Sequence, residues 1–126
     1  MDDFIRLKSE APIGNIIDIK KTSSGRALMG IGTVHHIAWR AENEEDLKAW
    51  LDYVREKGFR TSDVRDRKYF KSIYFREKGG ILYEIATDDP GFAVDEDKDS
   101  LGINLMLPPQ YEHMREDLEE SLPPIK

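Results

Sequence analysis

No cysteine occurs among the 126 residues, so neither a disulfide framework nor a thiolate ligand is available. Long apolar runs are missing too, since none approaches the roughly 20 residues needed to span a bilayer. The opening Met1-Asp2-Asp3 lacks the basic and apolar stretches of a cleavable leader. Lysine and arginine are scattered through a chain of formal charge −6, without the concentrated basic stripe that a phosphate backbone requires. These absences exclude a membrane span and argue against nucleic acid. They leave a cytoplasmic protein with small-molecule or protein partners as the expectation. The length suits one domain with a modest core, short for a two-layer enzyme with a closed pocket, so the active face is expected to be buried against another chain.

Histidine is scarce, at three residues, yet two are adjacent in an apolar run, Val34-His35-His36-Ile37-Ala38-Trp39. A second apolar run, Ile81-Leu82-Tyr83-Glu84-Ile85-Ala86, carries a carboxylate at its centre. A carboxylate so placed is costly to bury unless it is paired or bound to a cation, and histidine is a natural co-ligand.

Phe4 to Leu7 and Ile16 to Ile19 read as two strands about a turn at Ala11-Pro12, followed by a polar connection from Lys20 to Gly32 with Thr22-Ser23-Ser24-Gly25 as its flexible part. This divides the chain into residues 1–32 and 33–126. A strand over Thr33 to Trp39 leads to a helix starting near Asn43, with acidic Glu44, Glu45 and Asp46 at its positive end. Leu47, Trp50, Leu51 and Val54 form its apolar face, and Gly58 stands where a left-handed cap belongs. Phe59 to Val64 reads as a short strand and Arg65 to Lys68 as a polar loop. Ser72 to Arg76 and Ile81 to Thr87 form a hairpin about Glu77-Lys78-Gly79-Gly80. Leu101 to Leu107 is strand-like, and Pro108-Pro109 opens a last helix with Tyr111, Met114 and Leu118 on one face. The order over residues 33–87 is strand, helix, strand, strand, strand.

Strand alternation puts His36 with Val34 and Ala38, and Glu84 with Leu82 and Ala86. If both point into one cavity, the alanine two residues beyond each leaves space for a ligand. His35 would be crowded by Ile37 and Trp39, so His36 is favoured. A sheet whose apolar side meets the helix turns Tyr74 toward the same cavity, where it could exchange a proton, and Arg67 could reach an anionic oxygen. Plainer readings stand beside these: imidazoles satisfied by backbone carbonyls, Glu84 clamped by a buried Arg or Lys, and Tyr74 and Arg67 as ordinary hairpin residues. His113 reads as an ordinary helix residue, and Gly79-Gly80 as a turn with no helix after it to cradle phosphate.

Gly32-Thr33-Val34-His35-His36-Ile37-Ala38, Asp66-Arg67-Lys68-Tyr69-Phe70, Ser72 to Glu77, Gly79 to Asp88, Pro90-Gly91-Phe92 and Leu107-Pro108-Pro109 follow one another in an order that resembles the C-terminal part of ring-cleaving hydroquinone dioxygenases of the glyoxalase, or vicinal oxygen chelate, superfamily. The resemblance runs from about Gly30 to Ile125. It implies an α+β fold: a glyoxalase-like βαβββ module with a curved mixed sheet, extra N-terminal strands and a C-terminal helix. It also implies His36 and Glu84 as metal ligands, with supporting or substrate-handling roles for His35, Arg67 and Tyr74. The expected metal is Fe(II) or Mn(II), with Zn(II) or Ni(II) as alternatives, and the partners are a small aromatic substrate and O2. In such enzymes a further histidine ligand comes from an N-terminal module, which residues 4–29 match only as final strands and linker. A separately encoded N-terminal module is one expected completion. A homodimer with a two-His, two-Glu site like that of glyoxalase I is a second, and a non-catalytic remnant or binding module is the third reading.

Overall fold

The computed structural model describes residues 3–22, 25 and 28–123. Ser23 and Ser24, in the stretch expected to be the flexible part of the connection, lie outside the described residues. The chain divides between Thr33 and Val34 into two units.

The first unit is an antiparallel hairpin of β1 (Phe4–Lys8) and β2 (Ile16–Lys20), in register from Phe4↔Lys20 to Lys8↔Ile16. Arg6 stands opposite Asp18, and its guanidinium donates from Nε and Nη2 to the two carboxylate oxygens at 2.7 and 2.6 Å. This bond holds the Asp18 carboxyl below its ordinary range. Phe4, Ile5 and Leu7 are each half exposed, as expected of a two-stranded ribbon, which buries little by itself.

The second unit is a four-stranded sheet with one helix on it. Its strands are β3 (Ile37–Arg40), β4 (Arg65–Asp66), β5 (Lys71–Arg76) and β6 (Leu82–Ala86), and its helix α1 is Glu44–Glu56. The spatial order is β3-β6-β5-β4, with β3 parallel to β6 and the other pairs antiparallel. The helix supplies the crossover that a parallel pair needs. This is the expected βαβββ order. Leu47, Leu51 and Val54 of α1 form the core with Ala41, Ile73 and Ile85, and Trp39, Phe59, Val64 and Phe75 pack around it.

Trp50, counted with the apolar face of α1, is 41% exposed. At three residues past Leu47 it sits on the rim of the stripe, where its ring meets the edge of Tyr53 at 5.7 Å. Asn43 caps the helix by accepting from the Asp46 N–H at 2.9 Å, and Asp46 in turn accepts from the Glu42 N–H at 3.0 Å. At the other end Gly58, with φ of 85°, completes a Schellman turn: its N–H donates to the Arg55 carbonyl and that of Phe59 to the Val54 carbonyl.

The structure differs from the sequence reading in three segments. The β3 ladder starts at Ile37, opposite Tyr83, and Thr33 instead closes a turn onto the Gly30 carbonyl at 3.1 Å. In the 59–64 segment Thr61 makes one bridge to Phe75, and the regular pairing falls on Arg65 and Asp66, expected as loop. Leu101 to Leu107 is not a strand. Its carbonyls at Leu105 and Leu107 are taken by side-chain donors, Arg115 Nη1 at 2.9 Å and Lys68 Nζ at 3.1 Å, instead of by a ladder. The C-terminal turns run as a 3₁₀ segment, Pro109–Met114, into α2, Arg115–Ser121. No helix among the described residues is long and apolar enough to cross a membrane.

Two stability measurements test this description. Gly58→Ala meets no atom within 4 Å but must adopt the left-handed φ, so the mutant should lose about 1 kcal/mol in urea denaturation. Hydrogen bonds from Lys71 and then Lys48 lower the Glu44 carboxyl pKa. A lowered carboxyl contributes stability above its unfolded pKa, near 4.3, and loses it as pH falls through the folded value. The denaturation midpoint should therefore drop with acid below that range, and Glu44→Gln should flatten this part of the profile.

Candidate functional site

Glu84 stands at the middle of one sheet row, with Ala38 of β3 opposite it on one side and Tyr74 of β5 opposite it on the other. Residues paired across a ladder share a face, so this row is turned away from the face on which Ile73, Ile85 and Trp39 meet α1. Glu84 is 3% exposed. Ala38 fills little space beside it, and the imidazole of His36, two residues earlier, comes in over that position with Nε2 2.9 Å from Glu84 Oε2. From the other side the Tyr74 hydroxyl donates to Glu84 Oε1 at 2.5 Å. Both carboxylate oxygens are engaged, and among the described residues no Arg or Lys is a partner of Glu84.

The chain of contacts continues in both directions. His35 Nδ1 lies 2.9 Å from His36 Nδ1, with the two rings edge-on at 87°. With Glu84 as carboxylate, His36 carries its proton on Nε2 and donates there. Its Nδ1 then accepts from the Nδ1–H of His35. Beyond Tyr74, Arg67 Nε donates to the hydroxyl oxygen at 3.3 Å, and its guanidinium lies 5.2 Å from the ring centroid. The five residues singled out in the sequence thus form one linked series, His35, His36, Glu84, Tyr74, Arg67.

The donor pair suits a divalent ion in type and in spacing. Imidazole nitrogen and carboxylate oxygen are the ligands of iron, manganese and zinc sites, and two cis donors, each about 2.1 Å from an octahedral ion, stand about 3.0 Å apart. The observed 2.9 Å is close to that separation, so an ion could take the place of the Nε2 proton without driving the two side chains apart, with His36 then carrying its proton on Nδ1 and donating it to His35 Nδ1. The number of donors is short: no group of three His, Cys, Asp or Glu side chains converges among the described residues.

A family profile, Glyoxalase/Bleomycin resistance protein/Dioxygenase superfamily, matches residues 6–85, which include all five residues of the series. The chain belongs to this superfamily. It is 54% identical, over 98% of its own length and 40% of the relative's, to a Bacillus subtilis (strain 168) protein named "Putative ring-cleaving dioxygenase MhqO". It is 38% identical to the "Chlorohydroquinone/hydroquinone 1,2-dioxygenase" of Sphingobium indicum, over 75% of this chain and 29% of that one. A crystal structure titled as a "putative dioxygenase" from Bacillus subtilis superposes with a TM-score of 0.94 at 53% identity, covering 100% of this chain and 41% of the other. The chain spans about two fifths of the length of the first of these relatives. The glyoxalase-type fold accounts for the mixed sheet.

One group beside this series gave no signal in the sequence. Lys68, next to Arg67, has φ of 69°, a left-handed conformation uncommon for lysine. Its ammonium is clamped by the Asp95 carboxylate and by the Leu107 carbonyl, and Tyr69 also donates to Asp95 at 3.3 Å. The Asp95 carboxylate raises the Lys68 pKa above the ordinary lysine value. The loop that presents Arg67 is thereby tied to the C-terminal segment. Asn or Gly at position 68 would have announced the backbone turn, whereas lysine announces nothing.

Tyr74→Phe isolates the hydroxyl. It leaves one oxygen of a nearly buried carboxylate without its donor, so the mutant should lose about 1–3 kcal/mol of stability by chemical denaturation, while Arg67→Met, one step further out, should lose less.

Proposed function

We propose that this chain supplies the carboxylate and one histidine ligand of a metal-dependent ring-cleaving dioxygenase that acts on hydroquinone-type aromatics with O2 in the cytoplasm. The observation that carries the reading is the pair His36 Nε2 and Glu84 Oε2, 2.9 Å apart, with no Arg or Lys on the carboxylate among the described residues. The relatives' names support the substrate class. They lend no such support to the glyoxalase I-like homodimer. The third ligand, a histidine, comes from outside the described residues, from an N-terminal module carried on the same or a separate chain.

Fe(II) or Mn(II), held by His36, Glu84 and that third ligand, would supply open positions for a hydroquinone hydroxyl and O2 and a path for electrons between them. This chain's residues do the rest. His35 fixes the orientation of the His36 ring through their Nδ1 contact. Glu84 is held on its other oxygen by Tyr74, whose hydroxyl also faces the Arg67 donor. That hydroxyl is placed to pass its own proton to Glu84 Oε1 as it takes the proton of a substrate hydroxyl, and to reverse both transfers, with the guanidinium stabilising the phenol oxygen as the proton passes. Ala86, on the Glu84 face, leaves room for a ring.

The test joins the chain to its N-terminal module and measures metal per chain and oxygen uptake with hydroquinone and chlorinated hydroquinones. Stoichiometric metal and hydroquinone-dependent uptake are expected. His36→Ala and Glu84→Ala should each abolish metal retention. Tyr74→Phe should keep the metal and lower kcat by about 10²-fold or more. Unchanged metal content in Glu84→Ala would refute the ligand assignment, and a metal-loaded protein inert to every hydroquinone would refute the substrate class.

A further inference from the structure

A cleft of about 510 Å³ opens at the C-terminal end of α1, lined by Lys57, Gly58, Phe59, Arg60, Arg76 and Lys78. Four of these six residues are cationic and none is acidic, in a chain whose net charge is −6. The backbone forces them together. The Schellman turn at Gly58 swings residues 57–60 back toward the sheet, and the antiparallel bridge Thr61↔Phe75 places Arg60 directly across from Arg76. Like charges opposite one another in a ladder are destabilising. Here no neighbouring acid relieves them.

The acid that could do so is withdrawn. Glu77 lies between Arg76 and Lys78 in sequence, but its carboxylate accepts from the Gly79 and Ile81 N–H groups at 2.6 and 2.9 Å and so belongs to the hairpin turn. Asp63, the next acid along, is engaged by Arg55 at 2.8 Å. Lys57 is explained locally, by the negative end of α1 and by the Tyr53 ring 4.9 Å away. Arg76 spends one nitrogen on the Gly80 carbonyl at 2.7 Å. Arg60 and Lys78 have no hydrogen bond or ion pair among the described residues, although Arg6, Arg40, Arg55 and Arg115 all meet carboxylates.

We propose that this cleft is a binding site for a compact multivalent phosphate anion of the diphosphate class, held by Arg60, Arg76 and Lys78. Two guanidinium forks and an ammonium around one small cleft match an ion with several charged oxygens on adjoining centres, which is more than a single carboxylate presents. Side chains alone provide the attraction, since the Gly58 and Phe59 N–H groups are consumed by the helix cap. The site is separate from the His36 and Glu84 pair.

Titration calorimetry of the 126-residue chain with pyrophosphate, at about 0.15 M salt to screen diffuse attraction, tests this. One pyrophosphate per chain is expected, with orthophosphate binding at least about tenfold more weakly. Arg60→Ala with Lys78→Ala should reduce pyrophosphate affinity by about tenfold or more, and both side chains are exposed, so thermal melting should show the fold intact. Lys20→Ala with Lys21→Ala, a change of equal charge on β2 and just beyond it, should leave binding unaltered. Absence of saturable binding, equal losses in the two double mutants, or a tricarboxylate binding as tightly as pyrophosphate would overturn the proposal.

Discussion

A carboxylate in the middle of a sheet must find donors inside the protein, because water is not there to provide them, and Glu84 sets this requirement for everything around it. Unpaired, it would cost several kcal/mol or give up its charge. The fold meets the need from both neighbouring strands at once. Tyr74 is brought by the antiparallel register with β5, and His36 by the parallel pairing of β3, which places Ala38 beside Glu84 and leaves the imidazole to occupy the space. Register and site are therefore one constraint. A slip of one residue in β6 would turn Glu84 onto the face packed against Leu47 and Leu51, and Ile85 out of the core.

This constraint also explains which parts of the structure were legible in the sequence. An acid inside an apolar run, alternating residues on either side, and the spacing of Leu47, Leu51 and Val54 are local signals of period two and three to four, and each survived folding. So did the helix start near Asn43 and the cap at Gly58, where the residue type itself carries the backbone geometry. The segments that misled share a different cause. Leu101 to Leu107 alternates like a strand, but pairing needs a neighbour, and Lys68 and Arg115 reached its carbonyls first. Trp50 obeys the helical period and still stands at the rim, because its position in the stripe is marginal and its ring is large. The clamp of Lys68 on Asp95 was invisible for the same reason: it depends on contacts 27 and more residues away.

Two donors at cis spacing would define two corners of a coordination shell, and no group of three His, Cys, Asp or Glu side chains converges among the described residues. His35 and Arg67 lie at the two ends of the hydrogen-bonded series, so the Glu84 carboxylate is held from both sides by groups that are themselves held.

The distribution of charge repeats the pattern at larger scale. Four of the eight described arginines, Arg6, Arg40, Arg55 and Arg115, meet carboxylates, and Glu44 holds two lysines. Two places depart from this pairing in opposite senses. At Glu84 a buried carboxylate has an imidazole and a hydroxyl as its partners and no Arg or Lys among the described residues, a donor set suited to a metal. At Arg60 and Arg76 two cations face each other with no acid paired to either among the described residues, an arrangement suited to an anion. A field spread over the whole surface would have neither the sign change nor the short range that two separate, oppositely charged sites require.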